Sequence, residues 1–233
     1  MERNRLSSAI VLSIAIITAS IMLPKAVKDY KSYDRIVTVK GLCEREVKAD
    51  KVIWPIAYKV SSDNLTDLTN NMESKRKAII SFLEEGGIDA SEITLSAPFI
   101  SDKYSQDYGA ERKFRYVSQN TITVCTNKVD KILALSSKMQ DLLKAGVLVS
   151  KENYWDSNIQ YIFEGLNDIK PEMIHEAMAN ARVAAEQFAT DSNSKLGKLK
   201  TASQGTFSIE DRDSTTPQIK RVRVVTSLTY YLN

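Results

Sequence analysis

Between Pro171 and Leu199 the chain reads PEMIHEAMANARVAAEQFATDSNSKLGKL, and no other stretch constrains the fold so tightly. Ile174, Ala177, Met178, Ala181, Ala184, Ala185 and Phe188 recur at intervals of three and four, the period that lines up one face of an α-helix. Five alanines on or beside that face, Ala177, Ala181, Ala184, Ala185 and Ala189, leave it almost without bulk. Whatever covers the helix can approach its backbone closely, as a sheet would. The pattern breaks at Asp191 to Ser194, and Gly197 suits a left-handed cap before the chain enters a strand. With 233 residues, 43% hydrophobic and 26% charged, there is material for one large domain or two small ones.

Sheet material is present on both sides of this helix. Val37, Val39, Gly41 and Cys43 alternate along a strand that runs towards Val47. A turn at Lys48 to Lys51 leads to a partner carrying Val52, Trp54, Ile56, Tyr58 and Val60 on one face. Pro55 cannot donate to a ladder, so this second strand is expected to be an edge or to bulge there. Leu65, Leu68, Met72, Ile79, Phe82 and Leu83 predict a helix capped by Asn64 and closed at Gly86-Gly87. A strand is expected over Thr94 to Ile100, then a polar connection over 101–111, then a strand alternating Phe114, Tyr116, Ser118, Asn120, Ile122 and Val124. One helix is expected from Val129 to Leu143, closed by Gly146, and strands over 155–164, 198–209 and 222–232.

Three passages resemble the SIMPL domain family of bacterial envelope proteins. They are A-x-x-x-A-R-x-x-A-E-x-x-A followed by K-L-G-K-L in the alanine-rich helix, VTVKGLCEREVKADKV in the first hairpin, and G-I-x-x-x-x-I from Gly87 to Ile93. Cys43 stands where that family more often has a small residue, and the frequent proline before Asp50 is missing. The resemblance spans most of 36–233. It implies an exported protein of two α/β sub-domains, with some relatives forming ring-like or channel-like oligomers at the cell envelope and some linked to stress defence. Element order and resemblance together predict an α+β chain: two small two-layer sub-domains, intertwined within 35–233, with mixed, largely antiparallel sheets packed by helices.

A hydrophobic N-terminal helix is expected to precede them, within residues 1–34. Leu6 to Leu23 carries no charge, follows Arg3 and Arg5, and is long enough to span close to a ~30 Å hydrocarbon core. It reads as an export signal or a membrane anchor. Its length favours an uncleaved anchor in the inner membrane, with the folded part in the periplasm; cleavage would release that part there. Pro24 ends the run and Lys25 to Asp34 is a polar tether.

Few residues suggest chemistry. A net charge of +3, from 32 basic and 29 acidic residues, gives no reason to invoke nucleic acid. Cys43 and Cys125 lack metal-ligand spacing and read as small, half-buried strand residues, with a single disulfide open to an exported chain. The one histidine, His175, reads as a partly buried helix residue. Glu84-Glu85 and Glu210-Asp211 fall at a helix end and in a turn, where exposed charge is the default. No catalytic, cofactor-binding or metal-binding residue is therefore expected. The leading expectation is a non-enzymatic envelope protein acting through homo-oligomers or a partner. Two alternatives stand beside it: a small-ligand module using Tyr104, Tyr108, Trp54 and Trp155, and a hydrolase assembled from distant carboxylates.

Overall fold

The computed structural model describes residues 12–14, 16–24, 35–105, 113–150 and 158–233. In chain order the elements are β1 (Ile36–Lys48), β2 (Lys51–Ser62), α1 (Leu65–Glu85), β3 (Ile93–Leu95), β4 (Phe99–Asp102), β5 (Tyr116–Thr126), α2 (Val129–Ser137), α3 (Met139–Lys144), β6 (Gln160–Ile162), α4 (Leu166–Asp191), β7 (Leu196–Gln204), β8 (Ser208–Asp211) and β9 (Ile219–Leu232). The chain is α+β, with antiparallel sheets packed by helices. It divides into two compact units, one of residues 1–45, 168–208 and 222–233, the other of residues 46–167 and 209–221.

In the first unit α4 packs on a sheet ordered β1-β9-β7, with β8 also pairing β9. The buried stripe is Met173, Ala177, Ala181, Ala185 and Ala189, a strict four-residue repeat narrower than the face predicted from the sequence. Ile174, Met178, Ala184 and Phe188 flank the stripe instead, and Phe188 remains 54% exposed. Contact with the sheet is nearly backbone to backbone. A Cβ on Gly41 would lie 1.9 Å from the Ala177 carbonyl oxygen and 2.8 Å from the Ala181 Cβ. Val37, Ala185, Ala189 and Leu232 complete this small core. Leu232 N–H donates to the Arg35 carbonyl at 2.8 Å, and Thr38 and Thr229 hydroxyls meet at 3.0 Å, so β1 and β9 run antiparallel with Arg35 opposite Leu232.

The helix starts five residues earlier than expected. Pro171 lies inside it, because losing one N–H strips only the bond to the Asn167 carbonyl and the preceding turn still forms. It also ends differently. Asn193 takes the left-handed conformation at φ 51°, Asn193 N–H donates to the Thr190 carbonyl at 3.0 Å and Ser194 N–H to the Ala189 carbonyl at 2.8 Å. Gly197 is not the cap. It lies in β7, where a Cβ would meet the Tyr231 carbonyl oxygen at 2.8 Å.

In the second unit the sheet is ordered β3-β5-β2-β6, and β4 follows β3 along the same side of β5. Val52, Trp54, Ile56, Tyr58 and Val60 of β2 and Ile122 and Val124 of β5 are buried against Leu68, Ile79 and Leu83 of α1 and Ile132 and Leu135 of α2. Asn64 caps α1 as its sequence requires, its Oδ1 accepting from Thr66 N–H at 2.7 Å. Gly87, at φ 84°, closes the helix.

Two expected elements are divided. The strand over 94–100 breaks because its pairing with β5 slips by one residue between Leu95↔Ile122 and Phe99↔Gln119. Ser96 bridges the gap, its hydroxyl donating to the Thr121 carbonyl at 2.8 Å, and Pro98 has no N–H to offer. The helix expected from 129 to 143 breaks at Lys138, whose N–H donates to the Leu135 carbonyl at 2.9 Å in a tighter turn. Of the strands expected over 155–164 and 198–209, β6 keeps three residues and the second is divided into β7 and β8.

Pro55 does not make β2 an edge, since β5 pairs it on one side and β6 on the other. Ala57, of the same parity, accepts from Ser150 N–H at 2.7 Å on the β6 side, so Pro55 faces that side too. There it falls in the gap between the β6 pairing, which ends at Ile53, and the Tyr58↔Val149 bridge. The missing donor therefore costs no ladder bond.

Residues 12–14 and 16–24 are helical. The rest of the Leu6 to Leu23 run, the tether over 25–34, Tyr108 and Trp155 lie outside the described residues. Among the described residues no helix is long and apolar enough to cross a membrane.

Candidate functional site

The residues with the most obvious chemistry are placed where they have structural work or solvent around them. His175 is exposed on α4, rather than partly buried as expected, because the buried stripe passes through Met173 and Ala177 and leaves it on the outer side. Cys43 is buried and Cys125 exposed, and the two are free thiols. Burial and the neighbouring Glu176 carboxylate push the Cys43 thiol up to about 11, so at neutral pH it is a protonated, unreactive thiol. Glu84, Glu85 and Glu210 are exposed, and Asp211 pairs with the buried Lys220 ammonium. Among the described residues no group of three His, Cys, Asp or Glu side chains could hold a metal ion.

The second unit has clefts lined by polar and ionisable side chains. One of about 220 Å³ is lined by Tyr58, Glu73, Arg76, Ser96 and Asn120. Its carboxylate, Glu73, is engaged by Arg76, and burial raises the Tyr58 hydroxyl above its ordinary value. Another, of about 700 Å³, is lined by Trp54, Met139, Tyr161, Asp211 and Ser214. Its carboxylate is the one held by Lys220. Among the described residues neither cleft brings two carboxylates together, which is what acid–base hydrolysis of a glycosidic bond requires. Trp54 is a core residue, while Tyr104 is 62% exposed with the Arg115 guanidinium 5.9 Å above its ring. A third cleft, of about 720 Å³, gathers Lys59, Lys75, Lys103 and Lys113 around Phe114 and Leu148. These lysines are scattered over more than fifty positions, so no local motif announces them.

The first unit presents two strand edges. Arg35 turns its carbonyl inward to Leu232, so the even-numbered residues of β1, from Ile36 to Glu44, turn theirs outward. Leu42 follows this rule, and its carbonyl accepts from Asn180 Nδ2 at 2.9 Å. No strand pairs with this side of β1 among the described residues. At the opposite edge β7 is exposed on both faces from Lys198 to Gln204. The two edges differ in protection. β7 carries two lysines and two register shifts against β9, devices that blunt an edge, whereas β1 keeps its register from Arg35 to Thr38 and includes Ile36 and Leu42 among its exposed residues.

The SIMPL family model, described as "Protein of unknown function (DUF541)", matches residues 37–229. The chain belongs to the SIMPL family. No curated protein matches it. The matched span opens at Val37, which packs in the core beneath α4, and closes at Thr229, opposite Thr38. Both ends of the SIMPL domain are thus set in the β1 and β9 strands of the first unit. The alanine-rich helix, Gly41 in V-x-V-K-G and the Gly87 turn, all of which carry the resemblance in the sequence, are positions of close backbone contact or left-handed conformation. That is why they read as a pattern.

Proposed function

We propose that this SIMPL protein works at the cell envelope by association, with copies of itself or with a partner chain, and not by catalysing a reaction. The observation that carries the proposal is the outer edge of β1, a regular strand whose even-numbered backbone groups point outward and with which no strand pairs among the described residues. An incoming strand would find donors and acceptors in register there, with Ile36 and Leu42 supplying apolar contact. The uncharged run from Leu6 to Leu23 favours export and an inner-membrane anchor with the folded part in the periplasm. A role in envelope or oxidative stress defence rests on the family resemblance alone.

Sedimentation of the purified chain from Lys25 onward tests the association. A discrete assembly is expected, and Lys40→Pro should reduce it to monomers. Lys40 turns its N–H away from β9, so proline there spares the β1–β9 ladder and removes an outward donor. A wild-type chain that stays monomeric and captures no partner strand would end this reading, as would an assembly unaffected by Lys40→Pro.

A further inference from the structure

The cleft of about 220 Å³ in the second unit sets two buried polar side chains among apolar walls. Tyr58 of β2 and Asn120 of β5 stand directly opposite each other in the ladder and are only 3% and 6% exposed. Buried polar groups are normally bonded, and these two are not fully so. The Tyr58 hydroxyl has no hydrogen-bond partner among the described residues. It is not sealed in the core as the Thr226 hydroxyl is, and it opens into the cleft that Tyr58 lines. Asn120 Nδ2 donates to the Ser118 Oγ at 3.0 Å, and among the described residues its Oδ1 meets only that same hydroxyl, at a long 3.4 Å. The other hydroxyls nearby are spent on backbone. Ser96 Oγ donates to the Thr121 carbonyl at 2.8 Å, and Thr69 Oγ1 donates to the Leu65 carbonyl at 2.6 Å. Met72 of α1, Leu95 of β3, Pro98 and Ile122 of β5 supply the apolar walls.

We propose that this cleft binds a small uncharged molecule whose amide group is carried on a single apolar ring or short chain. Charge is the first discriminator. Glu73 and Arg76, the ionised groups of the lining, neutralise each other, so a charged ligand would set an unmatched charge against Tyr58 and Asn120. Hydrogen bonding is the second. Burial raises the Tyr58 hydroxyl above its ordinary value, so at neutral pH it remains an O–H that a carbonyl oxygen can accept from. Asn120 Oδ1 is an acceptor for an N–H. An amide carries both complementary groups, and its apolar body meets the four walls. Size is the third, since about 220 Å³ is below the ~300 to 1,000 Å³ of clefts that enclose drug-sized ligands, which restricts the occupant to one ring or a short chain.

Saturation-transfer NMR on the full chain in nonionic detergent, with 2-piperidone as the probe, tests the site. Saturable binding is expected, with a Kd of about 10 mM or tighter for so small a molecule. Tyr58→Phe keeps the ring and removes only the hydroxyl, and should weaken binding about threefold to tenfold. N-methyl-2-piperidone, which keeps the carbonyl and lacks the N–H, should weaken by a similar factor. Valerate, an ionised molecule of the same size, should bind at least about tenfold more weakly than the lactam. Thr69→Trp places a large side chain in the cleft from an exposed position of α1, where the fold tolerates it, and should abolish binding. The proposal is overturned by the absence of a saturable signal up to about 100 mM probe, a range that covers the weakest expected affinity. Equal binding of N-methyl-2-piperidone or valerate would overturn it too, as would binding that either Tyr58→Phe or Thr69→Trp leaves unchanged.

Discussion

Glu92 carries the most perturbed carboxylate in the second unit that is tied to its core. Burial alone would raise it. Hydrogen bonds from Lys128 Nζ at 2.8 Å, the Asp89 N–H at 2.9 Å and the Thr126 hydroxyl at 2.7 Å outweigh burial and hold it down to about 2, against an ordinary 4.5. A depressed carboxylate stabilises the fold above its unfolded value, and that contribution is lost as pH falls from about 5 towards 2. With its side chain only 20% exposed, Glu92 should be worth about 2 kcal/mol at pH 7. We expect Glu92→Gln to lower the urea midpoint at pH 7 and to differ far less from wild type at pH 3. A gap that stays constant across that range would show that the carboxylate is not what the network stabilises. His175 illustrates the opposite case, since its type suggested chemistry while its place on the outer side of α4 leaves it in solvent.

At the scale of elements, the contact between α4 and β1 is set by what is missing. Gly41 lacks a Cβ where one would collide with the Ala177 carbonyl, and the alanines opposite have nothing beyond Cβ. Ala185 is fully buried beside Val37, Ala189 and Leu232, so Ala185→Leu adds three carbons to a space that is filled and should cost about 1 to 3 kcal/mol. Equilibrium denaturation measures this directly, and an unchanged midpoint would mean that the helix can lift from the sheet without penalty. The sequence made the alanine face visible but overstated its width. Periodicity counts apolar residues on a helix, and Met178 and Phe188 qualify by type, yet a helix crossing a sheet buries only the row that meets it. In the same way the strand expected over 94–100 could be read from its alternation, while the one-residue slip at Ser96 to Pro98 depends on what β5 presents across the gap.

For the whole molecule, the N-terminal run bears on where the chain resides. The uncharged run at Leu6 to Leu23 leads us to expect full-length protein in the inner-membrane fraction of cells, with the region after Lys25 open to protease from the periplasmic side. Recovery in the cytosol would remove the envelope reading, and a mature form shorter by about twenty residues would replace the anchor with a cleaved signal. By itself, the sequence determined the α+β class, the order of strands and helices, the SIMPL resemblance and the closures at Gly87 and Gly146. Each of these depends on neighbours a few residues apart, through side-chain period, caps and turn conformation. Only the tertiary structure decided that Pro55 falls in a gap of the ladder, that the outer edge of β1 meets no strand among the described residues, that Cys43 is buried while Cys125 is exposed and that four distant lysines share one cleft. Those facts depend on segments brought together from far along the chain, and composition averages over them: a net charge of +3 is compatible with even mixing and with a cluster alike.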